Sequence, residues 1–142
     1  MSQFNTNYST EHWIAAKRIL RFLKGTADYG LMYRKSGMPL YGVVDADWGA
    51  NTVDRRSYSG YAFILAGAAV CWEARKQRTV ALSSVEAEYM AMSEATKEAI
   101  YLQGAIELQY MSTNDMPADI LTKGLTGVKH LHCQDGLGMI EY

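Results

Sequence analysis

Four of the chain's fifteen acidic residues stand where chemistry could be done: Asp45, Asp47, Glu88 and Asp119. In YGVVDADWGA, residues 41–50, an apolar run ends in Asp45 and Asp47. If the strand continues through both, alternation puts them on one face. Side-by-side carboxylates push each other toward neutrality unless a cation sits between them, and a divalent ion is the usual remedy. The other outcome is a strand that stops at Asp45 and acids that cap a surface turn. Glu88 lies in SSVEAEYMAMSEATKEAIYLQ, with Val85 and Ala91 three residues away, Met92 four away, and Ala95 and Ala99 beyond. Helical spacing therefore sets it within the apolar stripe, while Glu86 falls over Ser83, Met90, Ser93 and Lys97 on a mixed face. A core-facing Glu needs a partner or a metal, whereas at the rim of the stripe its carboxylate reaches water. In STNDMPADILTK, Pro117 suits the first turn of a short helix capped by Asp115 or Asn114, which brings Asp119 early into that helix.

These acids need elements to position them. Ser9 or Thr10 caps a helix whose apolar side is Trp13, Ala16, Leu20 and Leu23, with Lys17, Arg18, Arg21 and Lys24 opposite and Gly25 at its end. Residues 29–33 read as a short strand, and SGMP at 36–39 turns the chain into the 41–47 strand. A polar loop, ANTVDRRS, leads to YSGYAFILAG and AAVCWEARK, an antiparallel hairpin joined around Gly67. The helix from Ser83 to Gln103 stops at Gly104, and AIELQYM alternates as a strand. The tail after residue 125 has scattered glycines and no sustained period. Its His130, His132 and Cys133 lack a fourth ligand at a recognisable zinc spacing and read as ordinary tail residues.

With 142 residues, 49% of them hydrophobic, the chain can build one globular unit with a single core. No apolar run is long enough to span a bilayer, and the first residues lack a signal-peptide pattern, so a cytosolic, membrane-free protein is expected. Cys71 and Cys133 are too few and too far apart for a disulfide framework. Net charge is only −1, but residues 10–40 carry six Lys/Arg against two acids and residues 54–78 five against two, while residues 79–142 carry nine acids against three bases. The first half therefore reads either as a surface for a polyanion or as an ordinary solvated face.

Taken in order, these elements resemble a ribonuclease H fold: a strand with an acid, a hairpin, a helix with an inward Glu, a strand, and a helix with an Asp. VVDADWGA, DRRSYSGYAF, CWEARKQRTVALSSVEAEYMAMSEATKEAIYL and PADILTK resemble the ribonuclease H region that closes the Pol polyprotein of copia-type LTR retrotransposons. EHWIAAKRILRFLKGTADYGLMY resembles that family's segment linking reverse transcriptase to this region. The resemblance runs from residue 11 to near 125. It implies an α/β, ribonuclease H-like mixed sheet with flanking helices, and a nuclease that cuts the RNA strand of an RNA–DNA hybrid. Its cofactor would be Mg2+ or Mn2+, two ions roughly 4 Å apart. The implied catalytic and metal-holding acids are Asp45, Glu88 and Asp119, with Asp47 a poorer substitute for Asp45.

One departure from the family pattern bears on the chemistry. Between the long helix and AIELQY the family carries a further strand with a CDNQ-like motif, helices and a histidine-bearing segment like TKHID, and none of them is here. The implied layout is a linker segment 1–40, a ribonuclease H-like domain 41–125 with an internal deletion near 103–104, and a tail 126–142. A sheet short of its central strand leaves bare backbone groups. Either residues 105–110 move in to pair with the 41–47 strand, or two copies exchange strands into a homodimer. Asp115 reads as a helix cap or as a stand-in for the missing acid. The expected function is a catalytically impaired domain that binds RNA–DNA hybrid or another nucleic acid at most, through Lys17, Arg18, Arg21, Arg75, Lys76 and Arg78. The alternatives are an active two-metal endonuclease and a non-functional or self-associating relic.

Overall fold

The computed structural model describes residues 6–35, 37–103 and 108–141. Its elements are α1 (Thr10–Gly25), β1 (Tyr29–Leu31), β2 (Tyr41–Ala46), β3 (Tyr58–Leu65), β4 (Ala68–Lys76), α2 (Ser84–Gln103), α3 (Asp119–Thr122), α4 (Gly127–Gly136) and β5 (Met139–Glu141). It is a mixed α/β protein in which β2-β3-β4 form one antiparallel sheet and β1 pairs with β5. Two compact units emerge where one was expected: Met1–Gly30 with Glu141–Tyr142, and Leu31–Ile140.

In the first unit, α1 begins at Ser9, whose backbone N–H donates to His12 Nδ1 at 2.9 Å. It ends where Thr26 Oγ1 donates to the Phe22 carbonyl at 2.8 Å, which satisfies one of the free carbonyls of the last turn. The helical spacing seen in the sequence is real, but no residue of α1 is buried.

The second unit is built on the sheet. Ala66 and Gly67, with φ of 55° and 81°, form the tight turn between β3 and β4. Two left-handed residues in succession match the twist of a hairpin, and glycine adopts that conformation without cost. On one face of the sheet, α2 lays down Ala87, Ala91, Ala95 and Ala99, all buried, against Ala46, Val44, Tyr61 and Phe63. The stripe keeps the expected Ala91, Ala95 and Ala99 but begins at Ala87, and Val85 is exposed. Glu88 is half-buried at its flank. On the other face, Val43, Ala62, Ile64 and Ala69 pack against Ala118, Leu137, Ile120 and Leu121.

Two expectations are overturned. Leu108–Tyr110 are not in a strand, and Leu108 and Tyr110 are largely exposed; the rest of AIELQYM before them lies at 105–107, outside the described residues. Among the described residues β2 pairs with β3 alone, so no parallel strand makes the sheet mixed. The tail, which lacks a sustained period in the sequence, is ordered as α4 and β5. Buried Cys133, Gln134 and Leu137 hold α4, and the Ala69 N–H donates to the Leu137 carbonyl at 3.0 Å, so tertiary contacts supply what local periodicity lacks.

Candidate functional site

Alternation along β2 puts Val43 and Asp45 on the α3 face and Val44 and Ala46 on the α2 face. Asp45 lies opposite Gly60 in the β2–β3 register. A Cβ on Gly60 would stand 2.6 Å from Leu121 Cβ and 2.9 Å from Thr122 Cγ2, so the missing side chain is what lets α3 settle onto the sheet beside Asp45. Asp119 opens α3, and Thr122 and Lys123 follow at three and four residues. The Thr122 hydroxyl donates to Asp45 Oδ2. The Lys123 ammonium stands 3.0 Å from Asp45 Oδ1 and 2.8 Å from Asp119 Oδ1. Lys129, in the first turn of α4, pairs with Asp119 Oδ2. Asp119 itself is completely buried.

Glu88 reaches this cluster from the other layer. The Asp47 N–H donates to the Tyr58 carbonyl, so odd-numbered backbone groups of β2 face β3 and the Ala46 N–H faces the opposite edge, where it hydrogen-bonds to Glu88. Gln77 and Trp48 hold the approach to α2. Buried Gln77 donates through Nε2 to Ser59 Oγ and to the Ala87 carbonyl, both at 2.9 Å, and Trp48 Nε1 donates to the Ala81 carbonyl at 3.2 Å.

The electrostatics divide the acids. Burial raises the Glu88 carboxyl and Asp45 raises it further, while Lys123 and the Ala46 backbone pull it down less strongly. Burial also raises Asp45, and the hydrogen bonds from Thr122 and Lys123 do not fully offset it. At Asp119 burial pushes upward too, but the hydrogen bonds from Lys123 and Lys129 prevail and the carboxyl falls below its ordinary value. For Lys123 burial lowers the ammonium, and its bonds to Asp119 and Asp45 outweigh that, so it ends raised.

Asp45, Glu88 and Asp119 therefore influence one another electrostatically. Yet among the described residues no three His, Cys, Asp or Glu side chains are arranged to hold one metal ion. As they stand, the acids do not fit a divalent ion, because the chain's own ammonium fills the gap between Asp45 and Asp119.

Asp47 has a different task. It is buried, and its Oδ1 accepts from the N–H groups of Tyr58 at 3.0 Å and Ala50 at 3.4 Å, pinning the 47–58 loop. Asp45 therefore pairs through Lys123 with Asp119 and not with Asp47, and neither acid sits in an exposed turn. Asp115 is exposed in a turn and the cap position of α3 is Ala118, so neither Asp115 nor Asn114 caps that helix. Cys133 Sγ donates to the Met116 carbonyl at 3.6 Å. The residues missed in the sequence are Gly60, Gln77, Thr122, Lys123 and Lys129. The signal for Lys123 was its position four residues after Asp119, the spacing at which side chains on a helix meet.

The basic candidates fall in two places. Lys17, Arg18 and Arg21 are exposed on α1. Arg75 and Arg78 line an open depression of about 350 Å³ with Lys97, Glu73 and Glu94, where Arg75 pairs with Glu73 at 3.5 Å. Lys76 is engaged with Asp54 at 3.0 Å. Among the described residues, no helix is long and apolar enough to cross a membrane.

A 103-residue stretch is 52% identical to the Secreted RxLR effector protein 161 of Plasmopara viticola and covers 72% of each chain. The Retrovirus-related Pol polyprotein from transposon TNT 1-94 of Nicotiana tabacum is 32% identical over 190 positions, spanning 98% of this chain and 14% of that one. The corresponding polyprotein from transposon RE2 of Arabidopsis thaliana is 37% identical over 194 positions, 99% of this chain and 13% of its own. This chain thus spans a small share of the Pol relatives, and since the matched stretches exceed its 142 residues, they contain positions that it lacks. No family model and no solved structure matches the chain. The chain belongs to the same family as the Plasmopara protein and is a retrotransposon Pol-derived protein, related to the Pol polyproteins of copia-type elements.

Proposed function

We propose that this chain is a ribonuclease H-like domain of Pol origin, catalytically impaired and retaining RNA–DNA hybrid binding at most. The observation that carries the reading is the bridging of Asp45 and Asp119 by Lys123, at 3.0 and 2.8 Å, with no third acid completing an ion-sized ring among the described residues. A nuclease of this class depends on two divalent ions, one activating water and the other stabilising the leaving oxygen. Asp45, Glu88 and Asp119 would be the residues to hold them, and their present geometry supports neither ion. Positions carried by the Pol relatives and absent here support the same reading, since a ligand can be lost with them. Exposed Lys17, Arg18 and Arg21, together with Arg75 and Arg78, supply cations for phosphate contacts. Lys76 is a weaker candidate because Asp54 already holds it.

The test is incubation of the purified chain with a labelled RNA–DNA hybrid in Mg2+ and in Mn2+, beside a binding titration at several salt concentrations. The reading expects no cleavage, and binding that weakens steeply as salt rises. Cleavage that disappears in Glu88→Ala would replace it with the active-endonuclease reading, which the mutual influence of the three acids favours. Absence of both cleavage and binding would leave a relic that only folds.

An effector role does not follow from the Plasmopara relative. Arg18-Ile19-Leu20-Arg21 spells the pattern in that protein's name, but it does so inside α1, in a chain that the Pol polyproteins match over 98% and 99% of its length. Its helical setting and Pol ancestry account for these residues without a further function.

A further inference from the structure

We propose that Lys123 is the resident cation of the carboxylate cluster, so that its ammonium and a divalent ion compete for the same two acids. The inference rests on the reading of Asp45 and Asp119 as a vestigial metal site and adds which group of this chain holds the two acids. Three observations carry it. The Lys123 Nζ lies 3.0 Å from one carboxylate and 2.8 Å from the other, the bridging position a shared ion would need. The two acids come from elements distant in sequence, β2 and α3, so the bridge ties the sheet to the segment that follows it. The remaining oxygens are also taken, Asp45 Oδ2 by the Thr122 hydroxyl and Asp119 Oδ2 by the Lys129 ammonium. Every carboxylate oxygen of the pair therefore faces a donor of this chain. A free cation can enter only after a tethered one leaves, and tethering gives the ammonium a high local concentration that a dilute ion has to overcome.

Competition lowers the apparent affinity for an ion by the fraction of molecules in which the acids are free. Replacing the ammonium by an uncharged side chain of similar length should therefore expose a cation site that the wild type hides. The experiment compares wild type, Lys123→Met and Lys123→Gln by direct Mn2+ binding and by thermal unfolding with Mn2+ or with chelator. The wild type is expected to show no Mn2+-dependent rise in its unfolding midpoint. The variants are expected to unfold earlier in chelator, to recover with Mn2+, and to bind Mn2+ about tenfold or more tightly than wild type. Adding Asp119→Asn to either variant should abolish the gain. Equal Mn2+ affinity in wild type and variants would overturn the proposal.

Should both variants fail to fold, acylation of the wild type read by mass spectrometry decides. Lys123 is expected to label more slowly than exposed Lys17 and Lys24, and equal labelling would overturn the bridge. The hybrid assay is scored separately. Cleavage by the wild type defeats the impaired-nuclease reading, whereas Mn2+ stabilisation of a wild type that does not cleave defeats only the competition.

Discussion

The two layers packed on the sheet of the second unit each bring one acid to the same strand end, but with opposite provision for its charge. The α2 layer is a run of alanines that lets the helix approach closely, and Glu88 enters from its flank with one backbone hydrogen bond and no cation of its own layer. The α3–α4 layer delivers Asp119 already clasped by Lys123 and Lys129, residues of the same short stretch. Hence burial raises the Glu88 carboxyl, while the fully buried Asp119 carboxyl is lowered. Burial alone does not decide the protonation of an acid; what decides it is whether the element carrying the acid also brings its counter-charge.

The largest expected effect follows from removing the clasped acid. Asp119→Ala leaves the Lys129 ammonium without its carboxylate and Lys123 with Asp45 alone, and breaking such a pair costs about 3–5 kcal/mol. Both lysines are about a third exposed and can turn toward water, so the lower end, about 3 kcal/mol, is expected in urea unfolding. Next comes the packing that seats this layer. Gly60→Val forces a side chain into Leu121 and Thr122, and about 1–3 kcal/mol should be lost, together with the register of α3 beside Asp45. The same substitution at a distant surface site should cost far less, which separates close approach from general sensitivity.

Acidity sharpens the contrast between layers. A lowered folded pKa means that Asp119 contributes stability above its unfolded value of 3.8, lost as pH falls through the folded value. Raised folded pKa values mean the reverse for Glu88 and Asp45. Their favourable contribution is complete below the unfolded values of 4.5 and 3.8 and is lost as pH rises through the folded values. Thermal midpoints should therefore climb as pH drops from neutral into the carboxylate range, then fall below 3.8. The smallest effect belongs to the unclasped acid. Glu88→Gln keeps an acceptor for the Ala46 N–H and removes a charge held at a cost, so neutral-pH stability should change by less than about 0.5 kcal/mol. The climb on mild acidification should flatten in that variant, and an unchanged climb would assign it to other groups.

Much of this architecture could be read from residues alone. Alternation and Gly67 mark the hairpin, helical spacing from Ser83 marks α2, and the placing of Asp45 on a strand, Glu88 on a long helix and Asp119 early in a short helix is legible in the spacing. What escaped depends on tertiary reach. The stripe of α2 starts at Ala87 because alanines fit closest to Val44 and Phe63, and no period distinguishes that choice from one beginning at Val85. The segment α4 and β5 is short and broken by glycines, and its order comes from burying Cys133 and Leu137. Leu108–Tyr110 show that alternation marks a strand only where a neighbour offers hydrogen bonds, since they lie outside any ladder. The roles of Lys123 and Lys129 escape a sequence reading, because periodicity says which way a helix face points but not how far a lysine reaches.

The central claim is that Asp119 and Lys123 act as a unit, and a double-mutant cycle on Asp119→Asn and Lys123→Met in urea unfolding tests it most directly. The account predicts a coupling of about 1 kcal/mol or more between the two changes. Additive effects within experimental error would contradict it.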